Sequence, residues 1–273
     1  MSLDEGMEPS NEGGIKLDIK HKIVIMSGRD GVGKTTVAKN LAFALSEKGV
    51  NIGLLDIDRN GQNIARILDS ENNILTGDEN RIFPTIVSPR LKIMLMDFLL
   101  SSNDSPVIWH GTKKIEAIRE FLNLVDWGIL DYLIINLPAG TGDVPFTIAQ
   151  HIKDVDGTII VTSSQETAFL DTRRAVGFSK AVGIPIIGLI ENMSGFSCPH
   201  CKGKIHIFNK GEGEYASSKL GIPFLGWIPL DPGFMETVDD VKPLLMQDYN
   251  SESKDNINEI VKKIEDFTNS RKV

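Results

Sequence analysis

Gly28-Arg29-Asp30-Gly31-Val32-Gly33-Lys34-Thr35-Thr36 follows the apolar run Ile23-Val24-Ile25-Met26 and precedes Val37, Leu41, Ala44 and Leu45 at helical spacing. This spacing predicts a strand over 23–26, a glycine-rich turn, and a helix over 35–48 that Gly49 ends. The pattern G-x-x-x-x-G-K-[ST] between a strand and a helix is that of a phosphate-binding loop. Glycines let successive backbone N–H groups face a phosphate, and the helix N-terminus adds its partial positive charge. Lys34 reaches the β- and γ-phosphates of a nucleotide such as ATP, and the Thr35 hydroxyl can ligate Mg²⁺. The candidate binding set is Gly28, Arg29, Asp30, Gly31, Val32, Gly33, Lys34, Thr35 and Thr36. The blander reading, a glycine turn beside an exposed lysine, leaves the strand–loop–helix context unexplained.

Beyond the loop, an apolar run over 51–58 ends in Asp56 and Asp58. Strand patterns recur over 91–96, 132–137, 157–162, 186–191 and 224–227. Helical patterns fall over 113–125, 167–182 and 257–267. Strands alternating with helices predict an α/β fold: a mostly parallel sheet with helices on both faces, in one domain over 15–273. Insertions are expected near 59–90 and 192–213. The acids at the end of the second strand lie on the edge where open parallel sheets bind ligands. One of them can hold a metal-bound water and the other can orient an attacking water. Asp56 is assigned to magnesium with Thr35, and Asp58 to catalysis with Lys34 and Arg29. The segment Asn136-Leu137-Pro138-Ala139-Gly140-Thr141-Gly142-Asp143 follows another strand and reaches the same edge, where it can reorganise around a γ-phosphate.

The 273 residues are 41% hydrophobic and 24% charged, which excludes a largely disordered chain. A net charge of −8 argues against a protein that coats nucleic acid or anionic membrane. Four of the acids fall in residues 1–14, which read as a disordered acidic tail and leave about −4 on the fold. No apolar stretch approaches the roughly 20 residues needed to span a bilayer. The N-terminus shows no basic segment followed by an apolar run. The two cysteines are too few for a disulfide scaffold, so the expected setting is cytoplasmic. The segment 251–273 carries five acids and five bases, so it lacks the bias of a membrane-surface helix and is expected to pack on its own domain.

Both cysteines belong to Cys198-Pro199-His200-Cys201. Thiolates at this spacing can bind one soft metal, and a redox dithiol and two inert cysteines are the competing readings. Two thiolates do not complete a Zn²⁺ site or an Fe–S cluster, whereas a symmetric dimer supplies four from two copies.

The segment Glu191-Asn192-Met193-Ser194-Gly195-Phe196-Ser197-Cys198-Pro199-His200-Cys201, with Gly221-Ile222-Pro223-Phe224-Leu225-Gly226-Trp227-Ile228-Pro229-Leu230-Asp231-Pro232 after it, resembles the Mrp family. These are cytosolic P-loop ATPases of the MinD/ParA deviant-Walker class that act as iron–sulfur cluster scaffolds or carriers. The resemblance implies a P-loop NTPase fold, a homodimer, ATP at each loop, and a [4Fe–4S] cluster bridged by Cys198 and Cys201 of both subunits. It implies apo iron–sulfur proteins as recipients and an adenine contact for Asn192. Zn²⁺ remains the alternative metal. A ParA/MinD-like positioning ATPase remains the alternative function.

The chain departs from that family at its nucleotide motifs. The family's first loop lysine, which reaches across the dimer, is Arg29 here, and the following glycine is Asp30. If that position needs a positive φ, a side chain there costs about 1–2 kcal/mol. The aspartate that usually ends the third strand is Asn136, one proline of the following segment is Ala139, and the Pro-Ser after the strand-end acids is absent. These departures predict ATP binding with weakened hydrolysis.

Overall fold

Successive residues of strand β1 (Ile19–Met26) divide between two cores: Ile23 and Ile25 join one apolar cluster, Val24 and Met26 the other. Both faces are covered, which is why the strand reads as an unbroken apolar run. The computed structural model describes residues 17–58, 76–78, 81–96, 112–165, 168–197, 203–205, 211–231 and 252–271. The predicted acidic tail 1–14 lies outside the described residues.

From β1 the chain runs through α1 (Lys34–Glu47), β2 (Ile52–Asp56), β3 (Thr76–Asp78), β4 (Arg81–Phe83), β5 (Thr85–Ser88) and β6 (Leu91–Leu95). Then come α2 (Thr112–Leu124), β7 (Leu130–Asn136), α3 (Asp143–His151), β8 (Gly157–Ser163) and α4 (Ala168–Ala181). The last described elements are β9 (Ile186–Ser197), β10 (Lys204–Ile205), α5 (Glu212–Leu220), β11 (Phe224–Leu230) and α6 (Glu252–Ser270). Among the described residues the main sheet has nine strands in the order β10-β9-β8-β1-β7-β2-β6-β5, with β11 also pairing β9. The pairs β1–β7, β1–β8, β2–β6, β2–β7, β8–β9 and β9–β11 are parallel.

Helices α1 and α6 cover one face, through Val37, Leu41 and Phe43 and through Ile257, Ile260, Val261 and Ile264. Helices α2 to α5 cover the other, through Phe121, Ile148, Val176 and Ala216. Phe43 is fully buried, so truncating it to alanine would cost about 3–5 kcal/mol. The apolar residues of α6 are thus spent on the chain's own core, as the balanced charge of 251–273 leads one to expect. No helix among the described residues is long and apolar enough to cross a membrane.

Three expectations need correction. The first strand starts at Ile19, several residues earlier than its apolar run, because His21 and Lys22 are buried polar residues held by Asp156. The expected insertion at 59–90 contains strands: β5 pairs antiparallel with β6, and β3 with β4 forms a small second sheet. Such edge pieces are too short for periodicity to register. At the edges of the expected metal loop at 192–213, β9 runs on to Ser197 and α5 starts at Glu212, and residues 198–202 and 206–210 between them lie outside the described residues.

Candidate nucleotide site and its link to the cysteine segment

Strand order puts the C-terminal ends of β7 and β8 on either side of β1, so the glycine loop emerges between them. Gly31 and Gly33 adopt φ of 79° and 81°, in the left-handed region that a Cβ disfavours. Helix α1 begins at Lys34 with no side-chain cap on its first turn and no acidic residue there. Its leading N–H groups therefore face the loop concavity, ready for an external anion. Asp30 is outside the set of described non-glycine residues with positive φ, so the backbone strain feared at this position does not arise. Its side chain is 69% exposed and lies 4.0 Å from Lys34 Nζ.

The strand-end acids converge on the start of α1. Lys34, only 4% exposed, places Nζ 3.4 Å from Asp58 Oδ2. Asp56 Oδ1 accepts the Asp58 backbone N–H at 3.0 Å and the Asn136 amide at 2.8 Å. The same Asn136 Nδ2 donates to Thr35 Oγ1 at 3.0 Å. Asp56 and Asn136 are register partners on β2 and β7, which is why residues 80 positions apart meet. The buried Lys34, Asp56, Asp58 and Asn136 and the half-buried Thr35 thus form one polar cluster beneath the loop.

Arg29 turns inward. Its Nη2 donates to Ser163 Oγ at 3.2 Å and to Gln165 Oε1, tying the loop to the end of β8. The Leu137–Gly142 segment is anchored on the other side, with Gly140 N–H donating to the Ser27 carbonyl at 2.9 Å. Thr36 sits in the first turn of α1, where its carbonyl accepts from Asn40.

Asn192 lies against this loop. Its Nδ2 donates to the Val32 carbonyl at 2.9 Å, and it fills the space where a Cβ on Gly33 would stand. The adjacent Glu191 is a residue that sequence reasoning passed over. It is 1% exposed and accepts from Ser194 Oγ at 2.6 Å and from the Gly213 N–H of α5 at 2.7 Å. The available signal was an acid inside the apolar strand Ile186-Ile187-Gly188-Leu189-Ile190. Between Asn192 and Phe196 the pairing of β9 with β11 shifts register, and Met193 and Gly195 take φ of 61° and 82°. This is a bulge, held by Glu191 on Ser194 and by Ser164 donating to the Met193 carbonyl at 3.2 Å. After the bulge, Phe196 and Ser197 pair antiparallel with Ile205 and Lys204. Cys198 and Cys201 themselves lie outside the described residues, bracketed by that pairing. Among the described residues, no cluster of histidine, cysteine, aspartate or glutamate could hold a metal ion.

The profile of the ParA family described as NUBPL iron-transfer P-loop NTPase matches residues 18–265. An iron–sulfur cluster carrier protein of Methanocaldococcus jannaschii is 47% identical over 249 residues, covering 90% of this chain and 86% of that protein. A cytosolic Fe–S cluster assembly factor NUBP2 homolog of Nematostella vectensis is 42% identical, covering 92% of this chain and 94% of that one. Among solved structures, a nucleotide-binding protein in complex with ADP from Archaeoglobus fulgidus superposes with TM-score 0.70 at 30% identity, over 87% of this chain and 95% of that one. The MinD cell division protein of Aquifex aeolicus, at TM-score 0.63 and 22% identity over 90% of this chain and 97% of its own, shares the fold. With its phosphate loop, its parallel sheet and a match spanning nearly its whole length, the chain belongs to the ParA/NUBPL iron-transfer family of P-loop NTPases.

Proposed function

We propose that this chain is an ATP-binding carrier of iron–sulfur clusters that works as a homodimer in the cytosol. Each copy contributes Cys198 and Cys201 to hold a [4Fe–4S] cluster as cargo, which passes to apo iron–sulfur proteins. The observation that carries this reading is strand β9. It contacts the phosphate loop through Asn192 and ends one residue before Cys198. Strand β9 therefore leads from the nucleotide loop to the residue before the cysteine pair in the sequence. The names of the cluster-carrying relatives support the same reading.

The loop fits a nucleoside triphosphate. Uncapped N–H groups of α1 and the backbone at Gly31 and Gly33 take the phosphates, with Lys34 exchanging Asp58 for phosphate oxygen. Thr35 Oγ1 and the Asp56 carboxylate offer only oxygen, the donor type a hard divalent cation takes. Thr35 and Asp56 would hold Mg²⁺, which when bound neutralises phosphate charge. Asp58 orients the attacking water, Arg29 adds positive charge at the loop, and Asn192 contacts adenine. With Asn136 neutral and Asp30 beside Lys34, hydrolysis is slow relative to binding.

Anaerobic reconstitution with iron and sulfide, followed by absorption and EPR spectroscopy, tests the cargo. One [4Fe–4S] cluster per dimer, lost in Cys198→Ala, is the expected result. Zinc retained in place of any cluster after reconstitution overturns it.

A further inference from the structure

Asn136 closes β7 fully buried, directly in register with Asp56 on β2. Its amide nitrogen spends both hydrogens, one on Asp56 Oδ1 at 2.8 Å and one on Thr35 Oγ1 at 3.0 Å. Asp56 offers only acceptor oxygens, so the nitrogen of the amide must face it. The amide oxygen is thereby turned away and has no hydrogen-bond partner among the described residues.

The two oxygens that Asn136 joins are the two that would hold Mg²⁺. A cation placed between a hydroxyl and a carboxylate satisfies both by presenting positive charge to their lone pairs. The Asn136 NH₂ group presents two polarised hydrogens to those same atoms. A carboxylate at this position does the reverse. It sets a second buried anion beside Asp56 on the neighbouring strand, an arrangement that only a proton or a cation relieves. Thr35 Oγ1 and Asp56 Oδ1 are therefore already satisfied from within the chain. A metal ion engaging Thr35 and Asp56 must displace amide hydrogens and gains no new negative charge.

We propose that Asn136 is a specificity-determining residue that frees nucleotide binding in this chain from its dependence on divalent cation. The inference rests on the nucleotide-site reading above. The chain holds ADP or ATP with nearly equal affinity whether or not Mg²⁺ is present, and the side chain at position 136 sets that ratio.

The test uses the full chain and a fluorescent ADP analogue, titrated in excess Mg²⁺ and in excess EDTA. The parent chain is expected to show dissociation constants within about threefold of one another in the two media. Asn136→Asp is expected to bind at least about tenfold more tightly with Mg²⁺ than with EDTA, as one added charge at the metal predicts. A second readout needs no nucleotide. Mg²⁺ alone is expected to raise the melting temperature of Asn136→Asp and to leave that of the parent chain unmoved. A parent chain that tightens tenfold on adding Mg²⁺ overturns the inference, and this arm stands even if Asn136→Asp does not fold. A variant with no Mg²⁺ dependence in either readout also overturns it. Failure of the parent chain to bind the analogue in both media overturns instead the nucleotide-site reading on which the inference stands.

Discussion

The side-chain amide of Asn192 donates to the Val32 carbonyl across 2.9 Å, binding strand β9 to the crest of the phosphate loop. Both groups are buried, so removing the donor leaves a carbonyl without its partner. Asn192→Ala is expected to weaken nucleotide binding about five- to tenfold, the equivalent of about 1–1.4 kcal/mol. Isothermal titration calorimetry against ADP measures this. An unchanged dissociation constant would show that the contact does not position the loop.

Lys34 is buried at the start of α1 with its ammonium 3.4 Å from Asp58. Lys34→Ala removes the charge that phosphate would recruit. ATP turnover is expected to fall at least about a hundredfold. Cluster content after reconstitution is expected to stay at the parent level, because Lys34 is not part of the Cys198–Cys201 segment that supplies the thiolates. Parallel assays of phosphate release and iron content separate the two, and a joint loss of both would contradict the assignment.

Glu191 holds the bulge and the start of α5 together through Ser194 and Gly213. Glu191→Ala leaves two donors without their acceptor and is expected to cost about 2–4 kcal/mol in urea unfolding. Glu191→Gln keeps one good acceptor and is expected to cost about half as much. Equal stability of all three proteins would remove the bulge clamp from the account.

Tyr132 sits at the other end of the sheet, stacked on His21 at 4.8 Å between ring centres and sharing a hydrogen bond with Thr268 of α6 at 2.9 Å. Burial above all raises its phenol above the usual 10.0, the hydrogen bond shared with Thr268 and then the Lys20 charge oppose this, and the Glu265 and Asp156 charges add to it. The folded state thus keeps a proton that the unfolded chain releases. The stability tied to the neutral phenol is complete below pH 10.0 and is lost as pH rises through the folded value. Melting curves above that pH should show a steeper decline for the parent chain than for Tyr132→Phe. Parallel declines would contradict the argument.

The strand–loop–helix around Lys34 was legible in the sequence because its signals are contiguous. An apolar run, glycines and a helical period follow one another with no long-range partner needed. A mostly parallel sheet with helices on both faces follows from the same periodicities. The sequence also marked Asp56 and Asp58 at a strand end, and the family resemblance marked Asn136 and Asn192. It did not say which of them would touch. That Asn136 meets Asp56 depends on β2 and β7 becoming neighbours, and that Arg29 turns to Ser163 depends on β8 lying on the other side of β1. The extension of β9 to Ser197 depends on two late partners, β10 and β11, which stabilise a strand that local propensity would end at Glu191. Local chemistry and spacing are written along the chain, so the loop and the element types are determined by sequence alone. Hydrogen-bond partners across strands are chosen by packing and burial among distant segments, and those the tertiary structure alone decides.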